Sequence, residues 1–219
     1  MAQSTKAVLL DALGTLVELE PPFARLAAAL GGDVPGERVE AAMRAEMAYY
    51  RDHSHEARDR EGLADLRRRC ARLLSGELGR EVTVEAMMSA IRFRAYPDAR
   101  PALESLGARG LRLVCVSNWD CSLPEVLAGV GLADLLDGVV ASATSGARKP
   151  DRAIFRRALE LAGCGPAEAL AVGDTPAEDL AGARAAGIRA LLLDRTGAGP
   201  AAGASGSTIA SLTEISDHL

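Results

Sequence analysis

The stretch Ala7-Val8-Leu9-Leu10-Asp11-Ala12-Leu13-Gly14-Thr15-Leu16 decides how the rest of the chain is read. Four apolar residues in a row, Ala7 to Leu10, are too few for a helix and do not alternate with polar ones. That is the pattern of a strand covered on both faces. The run ends on a carboxylate, Asp11, and Gly14-Thr15 behind it marks a turn. Similar short apolar runs recur at Leu111 to Val116, Val139-Val140-Ala141, Ala169-Leu170-Ala171-Val172 and Ala190 to Leu193. Helical patterns lie between them, at Pro101 to Ala108, Leu123 to Val130, Arg152 to Ala162 and Ala177 to Ala186. Gly110, Gly131, Gly163 and Gly187 stand where those helices should stop. Strand–helix–strand alternation of this kind predicts an α/β fold built on a doubly wound parallel sheet.

The segment from Val17 to about Ala95 breaks the rhythm. It opens on Pro21-Pro22, turns at Pro35-Gly36 and is otherwise helical in pattern, with no buried strand evident and a charged, solvated face over Arg51 to Arg72. Tyr96-Pro97 marks the return. The expected organisation is therefore a core domain from residues 1–16 and 97–219, interrupted by a helical insert over residues 17–96. Gly197 to Ser207, rich in Gly, Ala and Ser, is expected to be a loop, and Thr208 to His218 a short closing element.

Composition narrows the function classes. The chain has 219 residues, 48% hydrophobic and 25% charged, enough to bury a full core without staples. A net charge of −5 and an aromatic share of 3% speak against nucleic acid or an anionic membrane as partner. Four cysteines form no CxxC pair, and Lys6 precedes only four apolar residues, so a cytoplasmic location is expected. No motif speaks to oligomeric state. The only lysines are Lys6 and Lys149, so chemistry that needs an ammonium has few places to put it.

In open parallel sheets, ligands bind beyond the carboxyl ends of the strands. Asp11 follows the first apolar run, Ser117-Asn118 the second, Ser142 the third and Gly173-Asp174 the fourth. Several strands thus deliver small polar or acidic residues to one edge. Clustered carboxylates at such an edge raise one another's pKa unless a cation neutralises them, and a hard, oxygen-liganded ion answers that need.

These residues also carry a resemblance. Asp11-Ala12-Leu13-Gly14-Thr15-Leu16, Ser117-Asn118-Trp119-Asp120, Lys149-Pro150-Asp151 and Gly173-Asp174-Thr175-Pro176-Ala177-Glu178-Asp179 resemble, in order, the four motifs of the haloacid dehalogenase-like hydrolase superfamily. The helical insert sits where the branch with a small helical cap places that cap. The resemblance implies a Rossmann-like core and Asp11 as nucleophile. It implies Mg²⁺ held by Asp11, the Leu13 carbonyl and Asp174, with Asp179 in support. Thr15, Ser117, Asn118 and Lys149 would bind the phosphate, Lys149 also serving catalysis, and the substrate would be a small phosphorylated molecule.

One position departs from the pattern. Phosphatases of the superfamily carry a second Asp two residues after the nucleophile as general acid and base; here that residue is Leu13. The 2-haloacid dehalogenases lack that Asp too, because halide leaves without a proton. They need no metal, however, and lack the acidic pair at Asp174 and Asp179. Three readings follow: a Mg²⁺-dependent phosphatase, a halide-displacing enzyme, or a catalytically weak protein that binds phosphorylated ligands or a partner. His53 and His55 are the insert residues that could stand in as acids, and Tyr49, Tyr50 and Arg51 could contact a substrate. No lysine lies between Lys6 and Lys149, which removes the Schiff-base chemistry of phosphonate-cleaving relatives.

Overall fold

The computed structural model describes residues 4–197 and 207–219. Its centre is strand β1, Ala7–Leu10, every residue of which is buried. Side chains alternate across a strand, and both faces here are apolar. Val8 and Leu10 enter a cluster with Leu103, Leu106, Leu123 and Leu127, while Ala7 and Leu9 enter another with Ile154, Phe155 and Ala158. That two-sided burial explains the continuous apolar run.

After β1 the chain forms β2 (Val17–Leu19), the helices α1 (Phe23–Ala29), α2 (Gly36–His53), α3 (Arg60–Leu78) and α4 (Val84–Ala90), then β3 (Phe93–Ala95). It continues through α5 (Ala99–Ala108), β4 (Arg112–Ser117), α6 (Leu123–Gly129), β5 (Gly138–Ala141), α7 (Ser142–Ser145) and α8 (Arg152–Ala162). There follow β6 (Ala169–Gly173), one π-helical turn (Pro176–Leu180), α9 (Ala181–Ala185), β7 (Arg189–Leu193), β8 (Thr208–Ile209) and a closing 3₁₀ segment (Leu212–His218). The sheet order is β5-β4-β1-β6-β7-β8 with all pairs parallel. The chain steps from β1 to β4 on one side and later to β6 on the other, so the strand order reverses around β1. A doubly wound sheet binds ligands at that reversal.

Each expected strand is present, within one residue at either end. The expected helix over Ala177 to Ala186 begins instead with the π-turn, and the Gly197 to Ser207 loop lies almost wholly outside the described residues. The insert departs from its expected all-helical pattern: β2 and β3 pair antiparallel as Val17–Ala95, Glu18–Arg94 and Leu19–Phe93. Three-residue strands that are only half buried leave no readable periodicity. Between them, α1 to α4 enclose their own cluster around Leu26, Met43, Leu66 and Leu74. The charged helix α3 is amphipathic: Leu63, Leu66, Cys70 and Leu74 are buried, Asp59 caps its start through the Gly62 amide at 2.9 Å, and Gly79 ends it. No helix among the described residues is long and apolar enough to cross a membrane.

Candidate active site

The strand register assembles the site. Leu10 pairs with Cys115 on one side and Val172 on the other, so Ser117 and Asp174 lie just beyond the level of Asp11. The ladder runs one step past β1, the Asp11 amide donating to the Val172 carbonyl at 3.0 Å. The loop then closes on itself, with Leu16 and Val17 amides donating to the Ala12 carbonyl. Arg195 holds that loop from behind. Its guanidinium donates to the Thr15 carbonyl at 2.8 Å, grips the Asp98 carboxylate through two 3.0 Å bonds and lies 3.8 Å over the Tyr96 ring. Nothing in the sequence singled out Arg195, because its partners, a backbone carbonyl 180 residues away and a carboxylate 97 residues away, are both distant in the chain.

Asp11 is 7% exposed. Its Oδ1 accepts from Ser117 Oγ at 3.0 Å and from Lys149 Nζ at 2.5 Å. Lys149 is buried as well, and its ammonium also bonds Asp179 Oδ1 at 2.5 Å. The other Asp179 oxygen accepts from the Thr175 amide at 2.9 Å. Carboxylate oxygens of Asp11, Asp174 and Asp179 all come within 4.8 Å of one another. Two glycines make this approach possible. A Cβ on Gly14, whose φ is +85°, would sit 2.1 Å from Asp174 Oδ2, and one on Gly173 would sit 2.2 Å from Asp179 Cγ.

The sequence profile of haloacid dehalogenase-like hydrolases matches residues 5–187, which include Asp11, Ser117, Lys149, Asp174 and Asp179. The chain belongs to that family. Among similar proteins, the phosphoserine phosphatase of Thermus thermophilus is 40% identical over 120 residues, 54% of this chain and 48% of that protein. The phosphoglycolate phosphatase of Rhodospirillum rubrum is 41% identical over 99 residues, 45% of this chain and 41% of that protein. This haloacid dehalogenase-like hydrolase thus spans less than half the length of these relatives. Its fold resembles a 2-haloacid dehalogenase from Pseudomonas syringae pv. Tomato, with TM-score 0.67, 26% identity and 97% of both chains covered. It also resembles a phosphatase of the family from Thermococcus onnurineus, with TM-score 0.69, 24% identity, and 98% and 97% covered.

In this hydrolase, three carboxylates face one ammonium, and the electrostatics show the imbalance. Burial and the Asp11 charge push Asp179 up to about 7 despite Lys149, and the same two causes raise Asp174. Burial alone would lower the Lys149 pKa, but the Asp11 and Asp179 charges outweigh it and hold the ammonium charged. An all-oxygen donor set with residual negative charge suits a hard divalent cation such as Mg²⁺. In the fold, Asp174 and Asp179 keep protons that the unfolded chain releases near pH 4, so the cluster's contribution to stability falls as pH rises from about 4 through 7. A divalent cation held by these carboxylates would remove that penalty and would compete with the protons. The rise in thermal unfolding midpoint on adding Mg²⁺ is therefore expected to be larger near pH 7.5 than near pH 5, the underlying stabilisation approaching about 2.7 kcal/mol at a hundredfold excess over Kd. A Mg²⁺ effect independent of pH would argue against binding at these carboxylates.

The remaining expected residues fare differently. Asn118 lines the same cavity, but both its amide hydrogens are used: Nδ2 donates to the Lys149 carbonyl at 3.1 Å and to Glu178 at 2.8 Å, while Oδ1 accepts from the Lys149 amide. It fastens the Lys149 segment to the strand end, and its side chain offers no spare donor to a phosphate. Thr15 is fully buried outside the cavity lining, and its hydroxyl has no partner. His53 bonds the Tyr49 carbonyl and stacks on that ring at 4.0 Å; neither it nor His55 lines the cavity. Leu13 does line it, 44% exposed.

The cavity measures about 490 Å³ and lies between the strand ends and the insert. Leu19, Leu63, Leu66, Met87, Ile91 and Phe93 give it apolar walls, and Arg51, Arg67 and Arg148 bring positive charge to its lining. Tyr50, named among the possible contacts, lines it and donates to Asp120 at 2.7 Å, joining insert to core; Tyr49 does not line it. The sequence alone did not single out Glu178, Glu46 or the role of Asp120, since each acquires its meaning from a partner distant in the chain.

Proposed function

We propose that this chain is a Mg²⁺-dependent phosphatase of a small phosphorylated metabolite, acting through an aspartyl-phosphate on Asp11. The observation that carries the reading is the Asp174–Asp179 pair within 4.8 Å of a buried, lysine-bonded Asp11. A halide-displacing site has no use for that uncompensated charge. The phosphatase names of the similar proteins agree with it. Asp11, the Leu13 carbonyl and Asp174 would hold the ion, Asp179 supporting them. When bound, it would neutralise the carboxylates and the oxygens of the transferring group.

The chain's own residues do the rest. Asp11 attacks phosphorus as a carboxylate, its orientation set by the Ser117 hydroxyl and the Lys149 ammonium. Lys149 places a fixed positive charge beside the transferring group in a water-poor site, where such charges act most strongly. Asp179 fixes the lysine and Asn118 fixes its backbone. The insert over residues 17–96 serves as the cap, its apolar walls and arginines selecting the non-phosphoryl part of the substrate. Asp11-dependent release of phosphate from aryl phosphates that requires Mg²⁺, with no halide released from 2-chloropropionate, is the expected result. Halide release without metal would instead favour the dehalogenase reading, which Leu13 and the Pseudomonas structure support. Absence of both activities would favour a phospholigand-binding protein.

Leu13→Asp tests the assembled geometry. Restoring a carboxyl at this exposed lining position is expected to raise turnover of alkyl phosphates, the gain bounded by the roughly 10²–10⁴ that a positioned acid–base group supplies. No gain at any pH would mean that position 13 does not face the leaving group.

A further inference from the structure

Helix α2 buries Val39, Ala42, Met43 and Glu46, one stripe at helical spacing. Three of those positions hold apolar residues and the fourth holds a carboxyl group, which is 6% exposed. Burying a carboxyl without a basic partner costs stability, and a residue retained against that cost at the wall of a reactive cavity points to chemistry. Glu46 lines the cavity that also holds Asp11, and among the described residues its one bonded side chain is the Cys70 thiol of α3.

The other acids of the cavity are committed. Asp179 bonds Lys149 and the Thr175 amide, Asp120 accepts from Tyr50 and Ser122, Glu178 accepts from Asn118, and Asp11 and Asp174 belong to the metal and nucleophile cluster. Among the described residues, Glu46 is the remaining carboxyl on the lining. Displacement at phosphorus runs in line, so the leaving oxygen departs on the side opposite Asp11, and the insert forms the far wall of the cavity.

We propose that Glu46 supplies the leaving-group proton that Leu13 cannot, which fits this site to phosphate esters of weakly acidic alcohols; the proposal rests on the phosphatase reading above. As Asp11 Oδ bonds to phosphorus, the bond from phosphorus to the ester oxygen breaks. Its electron pair goes to that oxygen, which takes the Glu46 proton and leaves as the alcohol. The Glu46 carboxylate then accepts a proton from the water that attacks the aspartyl-phosphate. The phosphorus–Asp11 bond breaks with its electron pair returning to the carboxylate, giving inorganic phosphate.

Burial raises the Glu46 pKa, so more of it is protonated near neutrality than of a surface glutamate. The ionisable groups about it are the Cys70 thiol, itself pushed up by burial, and Tyr50 a turn further along α2. Arg67 of α3 and Asp120 of the core line the same space.

The test compares β-glycerol phosphate, whose alkoxide needs a proton, with p-nitrophenyl phosphate, whose phenolate leaves without one. Glu46→Gln is expected to lower kcat/KM about 10²-fold on the first; on the second, kcat/KM, which reports only the transfer to Asp11, should stay within about threefold while kcat falls with the hydrolysis step that both esters share. In a Leu13→Asp background the same substitution should become nearly silent on both, because the proton then has another source. Equal losses of kcat/KM on the two esters, or none on either, would overturn the assignment. A series of aryl and alkyl phosphates on the unaltered protein gives a check that needs no variant to fold: a shallow dependence on leaving-group acidity supports proton donation, and a steep one overturns it. Failure of the parent reading has a different signature, the absence of Asp11-dependent turnover of p-nitrophenyl phosphate.

Discussion

Asp11→Asn is expected to abolish turnover, with kcat falling by on the order of 10⁵–10⁶, the size of loss that follows removal of an attacking group. The amide keeps the shape of the carboxylate and can still meet Ser117, so the fold should survive. What it loses is the ability to attack phosphorus. Removing one negative charge also relieves Asp174 and Asp179, whose raised pKa values owe part of their shift to Asp11. The variant should therefore be as stable as the parent near pH 7 or slightly more so, while inactive. Rapid-quench labelling with a ³²P-phosphorylated substrate should show phosphoprotein for the parent and none for Asp11→Asn. Phosphoprotein of equal yield in the variant would place the nucleophile elsewhere.

Lys149→Met should have the largest effect on stability. The methionine matches the stem of the lysine, but Asp11 and Asp179 lose the ammonium that bonds both at 2.5 Å while they stay buried. Removing one member of a buried ion pair costs about 3–5 kcal/mol, because the charge left behind has neither water nor partner. Asp179 can escape part of that cost by protonating. Without Lys149 its pKa rises further above the value of the unfolded chain, so the loss should be greatest above pH 7 and shrink as pH falls. Urea unfolding at two pH values measures this directly, and Mg²⁺ should recover part of the loss by supplying the missing charge. Activity should fall about 10²–10³ as well, the cost of one electrostatic donor to the transferring group. A loss under about 1 kcal/mol at neutral pH would mean that the pair is more hydrated than its burial implies.

Both variants concern residues that could be read from the linear chain. Asp11, Lys149, Asp174 and Asp179 stand in short local signatures: an apolar run ending in a carboxylate, a rare lysine, a Gly-Asp after a buried strand. Local pattern is enough for such positions, because a parallel strand buried on both faces must be apolar throughout and must hand its first polar residue to the sheet edge. Thr15 shows where the same logic misleads. The motif placed it beside the phosphate, whereas the turn buries its side chain and turns its carbonyl toward Arg195. Asn118 is a second case, on the lining as expected but with its amide spent on Lys149 and Glu178.

Order and spacing along the chain were therefore sufficient for the parallel sheet and for the edge where its polar and acidic residues gather, since each follows from burial acting on neighbouring residues. Folding alone decided which groups share space. It closed the β2–β3 ribbon, set Tyr50 against Asp120, brought Arg195 behind the loop that follows Asp11 and turned Glu46 from an anomaly in an apolar stripe into a wall of the same cavity as Asp11. The contacts join residues 70 to 180 positions apart, and the shared cavity brings together two that are 35 apart. Their energy depends on distance and exclusion of water, and neither quantity exists until the chain has packed.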